Sequence, residues 1–330
     1  MFASTRNVPI TPEPRVDFDR WLPSALVVSA VLLAVMMRDA GLSISLADPG
    51  AWLFALIFTI LGLVWWRLRR PTSRAARICR DAAEYFGLST AILLVGAVAS
   101  YPVAAFSHGF ADAALRRSDQ LLHFDWLTWY RVTAAHPLLQ VAGRVAYAAI
   151  YVSPVLLLGY HAVTGQRREA YRFMAAIWLS AALTLVGFWF MPAIGPFAYL
   201  WRGPIVYLPV SDLWQPDLIP KLRAHALPPI DLGHLVGLVS APSFHAAAAI
   251  LLIAFGARQR AIRLPLLAAN LAMLLATPVE GTHYLTDLLL GAAVAGIALA
   301  VVAPAWAREP MASRDRASGI VATAGAEPAS

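Results

Sequence analysis

A polytopic, all-α membrane helix bundle is the fold class this sequence predicts, on three observations. Charged residues make up 14% of the 330 residues and apolar ones 59%, whereas a soluble domain carries about a quarter charged residues. The apolar residues gather into runs close to the roughly 20 residues that cross a bilayer as a helix. Polar, proline-bearing and arginine-bearing stretches separate the runs, and a helix pairs every backbone polar group within lipid.

Eight spans follow, near 22–37, 51–66, 84–106, 141–161, 172–190, 241–256, 263–279 and 284–304. The first is short, and Arg38 beside it can snorkel to the interface. The arm at 1–20 is mixed in charge and proline-rich, with no small-residue cleavage site, so it reads as a mobile arm and not a signal peptide. The tail at 305–330 is polar and reads as disordered. Between them the expected division is two accessory spans with an arginine-rich loop at 21–83, then a six-helix core at 84–304.

Loop charge sets the expected orientation. Arg67, Arg69, Arg70, Arg74, Arg77 and Arg80 follow the second span, Arg167 and Arg168 the fourth, and Arg258, Arg260 and Arg263 the sixth. Those loops belong in the cytoplasm. The alternate loops, 38–50, 107–140, 191–240 and 280–283, are balanced or acidic and belong outside, which places both termini inside. Arginine- and alanine-rich usage with Lys221 as the only lysine fits a GC-rich bacterial genome, so a bacterial inner membrane is the expected location. The formal charge of +7 is an orienting excess; no basic and aromatic cluster argues for nucleic acid. Cys79 is the only cysteine, which excludes an intrachain disulfide.

The two long outer loops are more than connectors. In 107–140, Leu121, Leu122, Phe124, Trp126, Leu127 and Tyr130 recur at roughly helical spacing, and Trp and Tyr favour membrane interfaces. A short interfacial or re-entrant helix is expected there. The segment 191–240 holds many prolines, from Pro192 and Pro196 to Pro228 and Pro229. A loop of that length reads as a folded cover over an outer site.

Two stretches carry the chemistry: Ser240-Ala-Pro-Ser-Phe-His245 and Gly281-Thr-His-Tyr-Leu-Thr-Asp287. Each sits where an outer loop enters an apolar helix, so both fall at the same depth on the same side. His283 and Asp287 are four apart, a spacing that stacks side chains on one helical face. A carboxylate on one ring nitrogen fixes the tautomer and makes the other nitrogen the better nucleophile. Pro242 suits a first helical position, and Ser243 with its neighbouring N–H groups suits an anion at a helix N-terminus. His245 is then placed to protonate a leaving oxygen. The two rings should stand roughly 4–8 Å apart, the space one phosphate needs beyond hydrogen-bond contacts. Each piece also has a plainer reading: a His-x3-Asp pair as helix surface, a Ser-Ala-Pro-Ser run as a cap. Ionisable residues at membrane depth are rare and usually functional, and two such motifs on one face strengthen each other.

On these residues the chain resembles the type 2 phosphatidic acid phosphatase superfamily. Ser240, Pro242, Ser243 and His245 match its Ser-x-Pro-Ser-x-His motif. His283 and Asp287 match its third motif, whose serine and arginine positions are here Ala276 and Thr277. That departure resembles the branch typified by inositol phosphorylceramide synthase. So do the proline-rich stretch Phe190–Phe197 and the segment Asp119–Trp126. The first motif, Lys-x6-Arg-Pro, is absent, with Leu63 ahead of Arg70-Pro71. The resemblance covers roughly 84–304. It implies a phosphohistidine at His283, supported by Asp287, with His245 as the acid. It implies a lipid phosphate or phosphodiester substrate, with water, an alcohol or a second lipid as acceptor, and no cofactor or metal. Substrate contacts would come from Ser243, Ser240 and Thr277. A phosphoryl transition state also calls for positive charge. Arg202 and Arg223 stand first for that role, ahead of Arg116, Arg117, Arg131, Arg144 and Lys221.

Two other classes compete. Two histidines and a carboxylate also suit a facial iron triad, although no further His boxes accompany them. A catalytically inactive scaffold or transporter is the third class, kept open by the missing motif arginines. Chelator sensitivity separates the first alternative from phosphoryl transfer, and His283→Ala separates the second.

Overall fold

The computed structural model describes residues 18–211 and 213–303, and the expected tail and most of the expected N-terminal arm lie outside the described residues. Phe18–Arg20, assigned above to the arm, belong to the first helix. All described regular structure is helical, apart from one isolated parallel bridge between Ile44 and Ile230.

The spans appear in order as α1 (Phe18–Asp39), α2 (Pro49–Arg67) and α3 (Arg74–Phe106), followed by short helices α4 (Asp112–Leu121) and α5 (Trp126–Ala135). Next come α6 (Pro137–Tyr147), α7 (Ala149–Thr164) and α8 (Arg167–Phe190), then α9 (Pro196–Leu200) and α10 (Trp214–Arg223) in the proline-rich segment. The C-terminal part is α11 (Phe244–Ala257), α12 (Arg263–Glu280) and α13 (Leu285–Val302). Among the described residues six segments are long and apolar enough to cross a membrane: α1, α2, α3, α6 with α7, α8 and α13. At 14 residues α11 is shorter, about 21 Å of rise. It lies in the interior, with Ala246, Ala247, Leu251, Leu252 and Phe255 all buried. The loop that feeds it is buried too, and irregular backbone is tolerated at membrane depth when protein surrounds it.

Three expectations need correction. The arginine-rich loop is only Leu68–Ser73, because Ser73 caps α3 through the Ala76 N–H at 3.1 Å. Arg74, Arg77 and Arg80 therefore lie on the helix. The fourth span is broken at Ala148 into α6 and α7. The loop 107–140 forms two short helices, and its aromatics turn inward. Trp126 and Tyr130 are buried and stacked at 5.4 Å. Their polar atoms donate to the carbonyls of Pro278 at 2.6 Å and Tyr207 at 2.8 Å. Satisfying indole N–H and phenol O–H groups internally lets the rings leave the interface.

Ion pairs mark one end of the bundle. Arg167 pairs with Glu84 at 2.7 Å, Arg172 with Glu169 at 2.5 Å, and Arg258 with Glu169 at 3.6 Å. The motifs lie at the opposite end. There Arg223 ties α10 to Ser107, after α3, and Ser45 and Ile230 join the α1–α2 loop to the cover. The 191–240 segment is thus folded onto the motif end, with α9, α10 and a 3-10 turn at Leu232–His234.

Candidate active site

Three helix ends build the site. Ser243 caps α11, its Oγ accepting the Ala246 N–H at 3.3 Å. Asp287, in the first turn of α13, accepts the Tyr284 N–H at 3.0 Å. Between them α12 ends at Glu280, and the turn Gly281–Tyr284 presents His283. The His283 N–H donates to Pro278 O at 3.1 Å, which anchors that turn to α12. Thr282 holds φ +50°, a left-handed conformation uncommon for a β-branched residue. Strain of this kind gathers at functional sites.

The structure brings His245, His283, Asp287 and Ser243 together. His283 Nδ1 lies 3.3 Å from Asp287 Oδ2, and its Nε2 3.3 Å from Ser243 Oγ. The His245 ring stands across from it at 6.4 Å between centroids, inside the expected interval. One geometric premise changes. His283 precedes α13 instead of lying on it, so the His–Asp contact is made through the helix cap and not along a helical face. His283 is 3% exposed and Asp287 fully buried. Asp287 Oδ1 has no hydrogen-bond partner among the described residues, and Oδ2 meets the imidazole and the cap.

Two carboxylates on α4 brace this arrangement. Asp119 accepts from the Leu285 and Thr286 N–H groups at 3.0 and 2.9 Å, and from the Thr286 hydroxyl at 2.7 Å. Asp112 accepts from the Tyr284 hydroxyl at 3.0 Å and from the N–H groups of Ile194 and Gly195 at 3.0 and 3.1 Å. Burial pushes the Asp112 carboxyl above the usual carboxylate range, against the pull of those hydrogen bonds. Sequence spacing carried no sign of Asp112; Asp119 entered only through the resemblance.

Ser240 keeps its backbone beside the His283 imidazole, while its hydroxyl donates to Ala193 O at 3.1 Å and ties the motif loop to the proline-rich segment. The other expected site residues bond elsewhere. Thr277 donates to Met273 O within its own helix at 2.7 Å. The Arg202 guanidinium caps α9, donating to the carbonyls of Ala198, Tyr199 and Trp201. Arg223 bonds Ser107 Oγ and Gly109 O and covers the Phe110 ring. Lys221 pairs with Asp217 at 2.7 Å. Arg116, Arg117 and Arg131 are exposed. Arg144 bonds Tyr207, whose hydroxyl donates to Glu280 at 2.6 Å. Burial first, then Glu280, pushes the Tyr207 phenol up to about 12. Glu280 ends α12, buried. His161 is fully buried on α7. Among the described residues, no three His, Cys, Asp or Glu side chains gather as a metal-holding group.

The helical bundle sets two imidazoles across a gap, one backed by a buried carboxylate, beside a serine-capped helix N-terminus. A family model described as the PAP2 superfamily matches residues 113–301, from α4 to α13. The chain belongs to that superfamily. No curated protein and no solved structure matches it.

Proposed function

We propose that this protein is a phosphotransferase acting on a lipid phosphodiester at the outer face of the membrane, through a phosphohistidine at His283. The observation that carries the reading is the His283 imidazole, held by Asp287 at 3.3 Å and facing His245 across 6.4 Å. Nε2 of His283 attacks phosphorus as the bond to the leaving oxygen breaks. His245 gives that oxygen its proton. An acceptor hydroxyl then returns a proton to His245 and attacks the same phosphorus, which frees Nε2 again. The Ser243-capped end of α11 supplies N–H groups and a helix dipole to the phosphoryl oxygens.

Charge favours a diester over a monoester. The bonding partners of Arg144, Arg202, Lys221 and Arg223 all lie outside the His–His–Asp cluster. A helix N-terminus is worth about half an elementary charge, which suits the single charge of a diester better than the double charge of a monoester. The same consideration supports the likeness to inositolphosphotransferases. The arginine-rich ion-paired end would then face the cytoplasm. The test is detergent-purified protein on matched lipid monoesters and diesters, with and without an alcohol acceptor, and with and without a strong chelator. Diester turnover that yields an acceptor adduct and survives the chelator is expected. Monoester-only hydrolysis would refute the diester reading, and chelator-sensitive turnover would refute the mechanism.

A further inference from the structure

The two imidazoles differ in what holds Nδ1. For His283 it is a carboxylate, Asp287. For His245 it is a phenol: Tyr147 OH lies 3.2 Å from Nδ1, and the two rings stack at 4.3 Å and 18°. Tyr147 is buried at the last position of α6, just before the break at Ala148. The Ser211 side chain lies beside that hydroxyl, and Ser211 N donates to Glu280 O at 2.7 Å. The wedge is tight. A Cβ on Gly281 would lie 2.6 Å from His283 Cδ2 and 3.0 Å from Tyr147 OH. His245 Nε2 has no hydrogen-bond partner among the described residues.

We propose that Tyr147 is a positioning residue that assigns His245 the role of proton donor. This rests on the phosphohistidine reading above. The phenol oxygen accepts from Nδ1–H, with the Ser211 side chain beside it. Nδ1 therefore keeps its proton throughout, and Nε2 is the atom that loses a proton to the leaving oxygen and regains it from the acceptor. A carboxylate on Nδ1 raises the basicity of the opposite nitrogen and makes a nucleophile. A neutral phenol orients the ring without that gain, so the imidazolium gives up its proton more readily. Stacking on an aromatic face supports the ring while it is cationic. The division of labour between two identical side chains thus follows from their Nδ1 partners.

The test uses full-length protein in detergent with Tyr147→Phe, which keeps the ring and removes the oxygen. The probes are 4-nitrophenyl and octyl esters of phosphate and of methyl phosphate, in whichever class the parent turns over. Octyl ester turnover should fall roughly 10–100-fold, the loss of one hydrogen bond to a charged group. Nitrophenyl ester turnover, whose leaving group needs no proton, should stay near the parent's. In a His245→Ala background Tyr147→Phe should add nothing with the octyl ester. Phosphoenzyme trapped from the nitrophenyl ester reports that His283 remains competent. Equal losses with both esters, no loss with the octyl ester, or additive losses would overturn the assignment. Should Tyr147→Phe not fold, Ser211→Ala decides: a smaller loss confined to the octyl ester supports the assignment, and none or an equal loss overturns it. A parent that turns over none of the four esters refutes the phosphoester reading itself, and this assignment with it.

Discussion

Adding one methyl group at Gly291 is predicted to disable the site while leaving the fold in place. Gly291 lies one turn beyond Asp287 on α13 and faces the start of α11. A Cβ there would stand 2.3 Å from Ser243 O, 3.0 Å from Ala246 Cβ and 3.3 Å from Ala247 N. The nearest atom is backbone, so no rotamer change relieves the clash. Ordinary contact lies near 3.5 Å, so the Ser243 carbonyl must retreat by about 1 Å. Ser243 N donates to Asp287 O at 2.9 Å, and Ser243 Oγ contacts His283 Nε2 at 3.3 Å. A shift of the carbonyl therefore moves the cap, the carboxylate and the nucleophile relative to one another. Overpacking of this size costs about 1–3 kcal/mol of stability, whereas a misplacement of about 1 Å costs on the order of 10²-fold in rate. The assay is turnover of the parent's preferred ester by Gly291→Ala, with thermal unfolding in parallel. Gly296→Ala, on the same helix where a Cβ meets nothing within 4 Å, is the control and should match the parent. Parental turnover in Gly291→Ala would refute the reasoning. So would a loss explained by unfolding at the assay temperature.

Other perturbations address separate parts of the account. Asp287→Asn keeps the shape and removes the charge behind His283; its turnover should fall between the parent and His283→Ala, with parental activity as the contrary result. Asp119→Ala strands the Leu285 and Thr286 N–H groups, and unfolding measurements should show a loss of about 1–3 kcal/mol. Cys79 is exposed on α3 at the arginine-rich end. In intact cells it should resist a membrane-impermeant thiol reagent and react after permeabilisation; labelling in intact cells would contradict the orientation.

Much of this architecture was legible because bilayer physics is one-dimensional. Apolar run length placed the helices, six of them long and apolar enough to span among the described residues where eight spans were expected, and the Ser243 cap and the His283–Asp287 contact are local in sequence. What spacing did not reveal are the long-range contacts. Tyr147 reaches His245 across 98 residues, and Asp112 reaches Tyr284 across 172. The break at Ala148 left no trace because the flanking residues stay apolar. Arg202 and Arg223 were misplaced for a related reason. A positive charge on a loop does not reveal which carbonyls its guanidinium will cap: Arg202 found those of its own helix α9, and Arg223 that of Gly109 beyond α3. Trp126 and Tyr130 read as interfacial from residue type alone, whereas the carbonyls of Pro278 and Tyr207 draw them inward.

The central claim is that His283 carries the covalent intermediate. Its most direct test is rapid quenching of parent protein during turnover of its preferred ester, followed by mapping of the adduct. The expected result is a phosphoenzyme that is acid-labile and base-stable, located at His283 and missing from His283→Ala, which should also be inactive. A turnover-competent protein that forms no such adduct, an adduct that persists in His283→Ala, or full activity in that variant would contradict it.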